Sequence, residues 1–208
     1  GASSRLGSPG LSARAFAFIA LVLFFFVATR VPGAKVYEGP DTMPGAQDRD
    51  AAAQKNATAL DDEEVTRLRQ QGERGDANAQ FRLGFMYFTG AKVAQNFAEA
   101  FKWWQKAAEQ DSMLAEVNLG LMYQHGVGVR QDDVEAMRWY RKAAERGDET
   151  AQLQLGEAYQ DGIGVPLDPA QAVQWWRRAG EQGNARAQNH LGEAYHSGEG
   201  APRDYAQA

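Results

Sequence analysis

Three histidines, a few hydroxyls within a repeated region and a row of loop carboxylates are the side chains in this 208-residue chain whose types and spacing could do chemistry. A metal site needs ligands that converge from one side. His190 and His196 stand six residues apart, about 240° around a helix, so they do not share a face. His190 with Glu193 supplies at most two ligands where catalytic zinc usually takes three. These two histidines read as surface residues. The candidate hydroxyls within the repeats are Ser112, Ser197, Thr89 and Thr150, and neither serine has a lysine three residues on, so the Ser-x-x-Lys arrangement of acyl-transferring hydrolases is missing. There is no cysteine, which removes a thiolate nucleophile, a disulfide framework, a Cys-based zinc site and a lipidated cysteine. Asp132, Asp168 and Asp204 are loop carboxylates, but calcium needs several oxygen ligands from one loop, and no loop here offers them. The expectation is no catalytic residue, no metal and no cofactor.

Charge narrows the partners. A formal net charge of -5 is the wrong sign for phosphate-driven binding, which needs clustered Lys and Arg. The densest basic groups, Arg177-Arg178 and Arg138 with Tyr140-Arg141-Lys142, sit beside acids and read as a solvated helix face. Nucleic acid is therefore not expected as a partner.

The elements that must position any site are set by a repeat. Gly84, Gly120, Gly156 and Gly192 recur every 36 residues, as do Leu83, Leu119, Leu155 and Leu191, and Tyr87, Tyr123, Tyr159 and Tyr195. Ala100, Ala136, Ala172 and Ala208 keep the same step, with Trp103, Trp139 and Trp175, and Ala107, Ala143 and Ala179. Self-similarity at a period of roughly 20 to 50 residues marks a solenoid or array. Within one unit Ala115, Leu119, Met122 and Tyr123 share one helical face. That first helix ends at Gly126 in a left-handed cap, with Gly90, Gly162 and Gly198 at the same point elsewhere.

A second helix then starts on an Asx cap followed by Glu or Gln three residues on: Asn96 with Glu99, Asp132 with Glu135, Asp168 with Gln171, Asp204 with Gln207. In such a box the cap accepts from a backbone N–H and the Glu or Gln reaches back to the cap's own N–H. Pro169 suits the first helical position. The second helix shows Ala136, Trp139, Tyr140, Ala143 and Ala144 on one face. Small Gly120 and Ala136 are expected to let helix axes approach, and Trp139 and Tyr140 to fill the space between neighbouring hairpins. Gly147 and Gly183 end the second helices; Asp111 in that place predicts a less regular turn. Asp61 to Arg74 reads as a capping helix, with Asp61 and Glu64 as a further box and Val65, Leu68 and Gly72 as its apolar stripe.

Ahead of the array, Arg5 and Arg14 precede an unbroken apolar run from Ala15 to Ala28, and no acidic residue occurs before Glu38. That is the layout of a secretory signal. As a helix the run covers only about 21 Å, short against a hydrocarbon core of about 30 Å. Cleavage after Ala28 or Ala34 puts Phe26 or Pro32 where a small residue is needed, so an uncleaved anchor stands beside a cleaved signal. Residues 1–29 are assigned to this signal or anchor and 30–60, rich in Pro and Gly, to a disordered linker. Asn56-Ala57-Thr58 is a glycosylation sequon. The chain opens without Met and stops in the first turn of a second helix, and a solenoid needs a polar terminal cap, so the natural protein is expected to be longer.

The order Ala, Leu-Gly, Tyr, Gly-x-Gly-Val, Asp, Ala, Trp, Lys-Ala-Ala, Gly at a 36-residue period resembles the Sel-1-like repeat, a relative of the tetratricopeptide repeat. The resemblance covers residues 78–208 as three full units and half of a fourth, behind the capping helix at 61–77. Lys92, where other units have Gly128, Gly164 and Gly200, predicts an altered first loop. The fold class implied is all-α, a right-handed superhelical solenoid of antiparallel helix pairs.

The resemblance implies protein or peptide binding on a concave face lined by the first helices. Position by position, that face is Phe81, Phe85 and Phe88, then Val117, Leu121 and Gln124, then Leu153, Glu157 and Gln160, then Asn189, Glu193 and His196. It runs from apolar to polar. A partner site and cover by the capping helix or linker are two readings of the Phe stripe. The function expected is a non-catalytic scaffold or adaptor, exported to a bacterial periplasm or tethered facing it, with a eukaryotic secretory lumen as the alternative. Membrane contact is expected only through the N-terminal segment. The alternatives are a glycan-binding envelope scaffold that uses exposed Trp and Tyr rings, and a cell-envelope hydrolase. Some cysteine-rich relatives have been described as beta-lactamase-like, and neither their cysteines nor the Ser-x-x-Lys motif occurs here.

Overall fold

A computed structural model describes residues 62–204 and 206 of the chain. The apolar run, the linker, the sequon, Asp61 and Gln207 lie outside the described residues. Among the described residues there are eight helices and no strand: α1 over residues 62–73, α2 (Ala77–Thr89), α3 (Phe97–Ala108), α4 (Met113–His125), α5 (Asp133–Glu145), α6 (Glu149–Asp161), α7 (Pro169–Glu181) and α8 (Ala185–Ser197). The principal contacts join helices adjacent in sequence, so the chain is an all-α solenoid in which α2–α3, α4–α5 and α6–α7 are hairpins and α8 opens a fourth.

Caps place the helix ends. Gly90, Gly126, Gly162 and Gly198 close the first helices in the left-handed conformation. Asn96, Asp132 and Asp168 cap the second helices, accepting from the N–H of Glu99 at 3.1 Å, Glu135 at 3.1 Å and Gln171 at 3.0 Å. At these three boxes the reciprocal leg is not made. The cap's own N–H instead donates across the loop to a tyrosine carbonyl of the first helix: Asn96 to Tyr87 at 2.8 Å, Asp132 to Tyr123 at 3.0 Å, Asp168 to Tyr159 at 2.8 Å, Asp204 to Tyr195 at 3.1 Å. Those carbonyls belong to a last helical turn and lack an intrahelical donor, so one bond satisfies both helix ends and locks the loop. Freed from the cap, Glu99 pairs with Lys102 at 2.6 Å and Glu135 with Arg138 at 3.1 Å. The first helices carry Asx caps as well, Asp76, Asp148 and Asn184, which the sequence pattern had not singled out.

Two expected irregularities take another form. Asp111 adopts φ 60, and the bond that closes its turn, Ser112 N–H to Ala107 O at 3.1 Å, matches Asp148 to Ala143 and Asn184 to Ala179 at the same distance. The turn keeps that closing bond, but α3 ends at Ala108, one residue earlier than its counterparts at Glu145 and Glu181, and the aspartate sits in the left-handed region that glycine adopts at less cost. Lys92 likewise takes φ 66, close to the 70 of Gly128. Glycine is required at 128 because an added Cβ would lie 2.6 Å from the carbonyl of Phe97. At position 92 the lysine side chain reaches Glu64 on α1. The first loop differs from the second and third in one donor: Ala91 N–H goes to Thr89 Oγ1, as Glu199 N–H goes to Ser197 Oγ in the fourth, where Val127 and Ile163 bond helix carbonyls.

Packing follows residue size. Leu83, Leu119 and Leu155 are fully buried, with the alanines at 100, 136, 172, 107, 143 and 179. The two aromatics of each second helix divide the work differently from the expectation. Tyr140 packs within its own hairpin, on Gly120, where a Cβ would come 2.7 Å from its ring; Trp104 meets Gly84 and Trp176 meets Gly156 in the same way. Trp103 is the one that reaches the preceding element, against Gly72 of α1, in a cluster with Val65, Leu68 and Leu83.

A polar stitch joins successive hairpins. Gln80 donates to Gly72 O at 2.8 Å and accepts from Gln110 at 2.6 Å. Gln152 donates to Ala144 O at 3.1 Å and accepts from Gln182 at 2.8 Å. The second copy is Glu116, 1% exposed and paired with Arg146 at 3.2 Å, and the fourth is Gln188, which donates to Gly180 O at 2.9 Å.

Candidate functional site

The first helices α2, α4, α6 and α8 lie side by side, and side chains that cross between them record the register. Gln124 of α4 donates to Gln154 of α6 at 3.3 Å, and Gln154 donates to Glu157 at 3.1 Å. Glu157 then accepts from Arg186 of α8 at 2.7 Å and lies 3.5 Å from His190. Gln124 also accepts from the Tyr140 hydroxyl at 2.9 Å, whose pKa is pushed well up by burial, with Glu157 and Asp148 adding to it. Gln160 donates to Glu199 at 2.9 Å. A continuous polar row therefore occupies the α4–α6–α8 part of the face.

The α2–α4 part is apolar. Phe81, Phe85, Val117 and Leu121 are half-buried, and Leu114 is 58% exposed. Leu114 and Phe85 stand two repeats before Arg186 and Glu157 and are their counterparts in the 36-residue frame. Val117 and Leu121 also pack against the main core.

Of the twelve residues predicted to line the face, ten remain accessible in some degree. Phe88 and Leu153 do not: they are 2% and 5% exposed. Phe88 turns inward because Trp104 and Phe97 offer it rings at 5.2 Å and 5.3 Å. Phe81 stacks near the same indole at 6.4 Å but keeps an open side. Asn189, Glu193 and His196 are exposed, and Gln124, Glu157 and Gln160 are half-buried within the polar row. Leu114, Gln154, Arg186 and His190 share the face and were missed. They sit between the predicted frame positions, and only the lateral register of the helices brings them there.

His190, expected on the surface, is half-buried and stacks on Trp176 with centroids 4.6 Å apart, between Glu157 and Glu193 at 3.5 Å and 3.8 Å. Among the described residues no group of three or more His, Cys, Asp or Glu is arranged to hold a metal ion. No described helix is long and apolar enough to cross a membrane. The basic groups on the second helices are engaged with rings: Arg141 and Arg177 donate to the Tyr159 and Tyr195 hydroxyls, and Lys106, Lys142 and Arg178 lie over Trp103, Trp139 and Trp175 at 4.4, 4.5 and 4.6 Å.

Comparison with known proteins agrees with this architecture. The family model described as Sel1 repeat matches residues 77–112, 114–148, 150–184 and 185–208. Among solved structures, the chain is similar to a Sel1 repeat protein from Oxalobacter formigenes, at 36% identity and TM-score 0.65, covering 78% of this chain and 71% of that one. It is also similar to a protective antigen of uropathogenic Escherichia coli with an SLR fold, at 34% identity and TM-score 0.55, covering 67% of this chain and 38% of that one. No curated protein matches the sequence.

Proposed function

The chain belongs to the Sel1 repeat family, and on that footing we propose that it is a non-catalytic scaffold or adaptor that binds a protein or peptide partner on the face lined by α2, α4, α6 and α8. Sel1-repeat folds are commonly protein-interaction scaffolds. The observation that carries the reading is the apolar end of that face. Leu114 of α4 is 58% exposed, and Phe81 and Phe85 of α2 are only half-buried, although the framework leucines and alanines of the same helices are sealed. Exposed contiguous apolar surface rimmed by polar residues is the mark of an interaction site. The glycan alternative relied on exposed Trp and Tyr rings, and Trp103, Trp139 and Trp175 are buried, which leaves it only the half-buried Tyr87 and Tyr123 among the described residues.

Export, with tethering or cleavage at residues 15–28, is part of the proposal; it rests on the sequence of that run alone. The test of the binding face is affinity capture by the full chain against a Phe81→Glu, Phe85→Glu double variant that keeps its helical circular dichroism. A protein retained by the wild type and lost by the variant supports the face; retention by both moves the site elsewhere on the solenoid. Fractionation of cells that produce the tagged chain tests export separately, and a cytosolic pool alone would end that part.

A further inference from the structure

Three departures from the repeat meet where the first hairpin joins the second. Gln80, Gln152 and Gln188 each donate an amide N–H to the carbonyl eight residues back: Gly72 O at 2.8 Å, Ala144 O at 3.1 Å and Gly180 O at 2.9 Å. The second unit has Glu116 in that place, and an ionised carboxylate has no hydrogen to give. Where Gln110 and Gln182 reach Gln80 and Gln152, Arg146 reaches Glu116. Where Gly75, Gly147 and Gly183 make the turn, Asp111 makes it. The consequence falls on Ala108, at the end of α3. The carbonyls of Gly72, Ala144 and Gly180 each receive two donors, a turn N–H and a glutamine amide, whereas Ala108 O receives the turn N–H of Asp111 at 3.1 Å. The Glu116 oxygen that takes Arg146 occupies the place of the glutamine Oε1, so its other oxygen occupies the place of the amide nitrogen that serves the carbonyl.

We propose that Glu116 is a proton-operated joint. Ionised, it binds Arg146 inside the second hairpin; protonated by solvent, it donates an O–H to the Ala108 carbonyl and ties the second hairpin to the first. Each state leaves a different group unmatched. In the ionised state the second carboxylate oxygen and Ala108 O are two acceptors with no hydrogen between them. In the protonated state Arg146 gives up its charged partner, at small cost because its side chain is 43% exposed and water replaces the bond. The charged groups that face the carboxyl are Asp111 from the turn, and Arg146 and Lys142 from the α5 side; α4 itself carries no other Asp, Glu, Lys or Arg. Burial favours the proton and Asp111 adds to it, against Arg146 and Lys142. A carboxyl whose folded pKa is raised keeps its proton-dependent bond fully below the unfolded value near 4.3 and loses it as pH rises through the raised folded value. Acidification therefore stiffens the joint. Because α2 and α4 belong to the two hairpins it connects, the joint governs how firmly these neighbouring first helices are held together.

The experiment is residue-resolved amide hydrogen exchange on the full 208-residue chain at about pH 7 and about pH 5, corrected for the intrinsic exchange rate at each pH. Three amides report on the joint: those of Asp111, Ser112 and Glu116, which bond Ala108 O, Ala107 O and Ser112 O. Their protection is expected to rise roughly threefold or more at the lower pH. The matching amides of Gly147, Asp148 and Gln152, in a joint stitched by two glutamines, are expected to hold level. Glu116→Gln, which copies the other units, should show the higher protection at both pH values. Arg146→Gln removes a cation that opposes the proton and should move the rise to higher pH. The carboxyl carbon resonance of Glu116 should titrate together with the three amides. No rise in the wild type, a rise that persists in Glu116→Gln, an equal rise at Gly147 to Gln152, or an unmoved midpoint in Arg146→Gln would each overturn the proposal.

Discussion

Glu116 is the residue that departs most sharply from its repeat. Gln80 and Gln152 each donate to a helix carbonyl and accept from a glutamine; an ionised Glu116 can only accept. Burial raises its pKa, opposed by Arg146 and Lys142. A carboxyl whose folded pKa is raised holds its proton more tightly in the native state. Its stabilisation is complete below the unfolded value near 4.3 and is lost as pH rises through the raised folded value. Arg146→Gln removes the charge that limits this loss, so it is expected to cost about 2–3 kcal/mol at pH 7 and less at pH 5. Glu116→Gln restores the donor and is expected to be neutral or stabilising by up to about 1 kcal/mol, with a flatter pH profile. Urea unfolding at the two pH values measures both; equal costs for Arg146→Gln at pH 5 and pH 7 would refute the assignment. Asp111, held at φ 60 where other turns use Gly147 and Gly183, predicts that Asp111→Gly stabilises by about 1 kcal/mol.

At the scale of the helix, packing is decided by pairs of large and small residues. Trp139 is 8% exposed, and Trp139→Ala is expected to cost about 3–5 kcal/mol. A loss under about 1 kcal/mol on chemical denaturation would contradict its core position. Trp176 contributes differently. Trp104 donates its indole N–H to Phe81 O at 3.2 Å and Tyr140 donates to Gln124, whereas the buried Trp176 N–H has no partner. Trp176→Tyr places a hydroxyl where the register puts Gln160. It is therefore expected to stay within about 1.5 kcal/mol of wild type, against about 3–5 kcal/mol for Trp176→Ala. Thermal denaturation of the two variants separates these outcomes.

Over the whole array, stability is carried by nearest-neighbour interfaces, since the principal contacts join only adjacent helices. A lesion should therefore be felt locally. Gly156→Ala drives a methyl into the Trp176 indole and is expected to cost about 1–3 kcal/mol. Amide hydrogen exchange should show the loss of protection centred on α6–α8, with α2 and α3 changed least. Uniform loss along the chain would mean that the hairpins unfold as one cooperative block.

The repeat was legible in the sequence because its causes are local. Glycine at 126 and 162 marks a left-handed cap, an Asx residue at 132 and 168 marks a helix start, and Leu119 with Gly120 marks the tight face. Each leaves a residue-type signature at one period. Fold class, hairpin boundaries, the buried tryptophans and the family resemblance follow from those signatures. Tertiary structure decided whatever depends on how one helix lies against another. It sent the Asp132 N–H to the Tyr123 carbonyl rather than to Glu135, turned Phe88 and Leu153 inward, seated Tyr140 within its hairpin, and brought Gln154, Arg186 and His190 into one polar row across the first helices. Lateral register between helices arises from side-chain interlocking across 29 to 33 residues of chain, and no periodicity within a single helix encodes it.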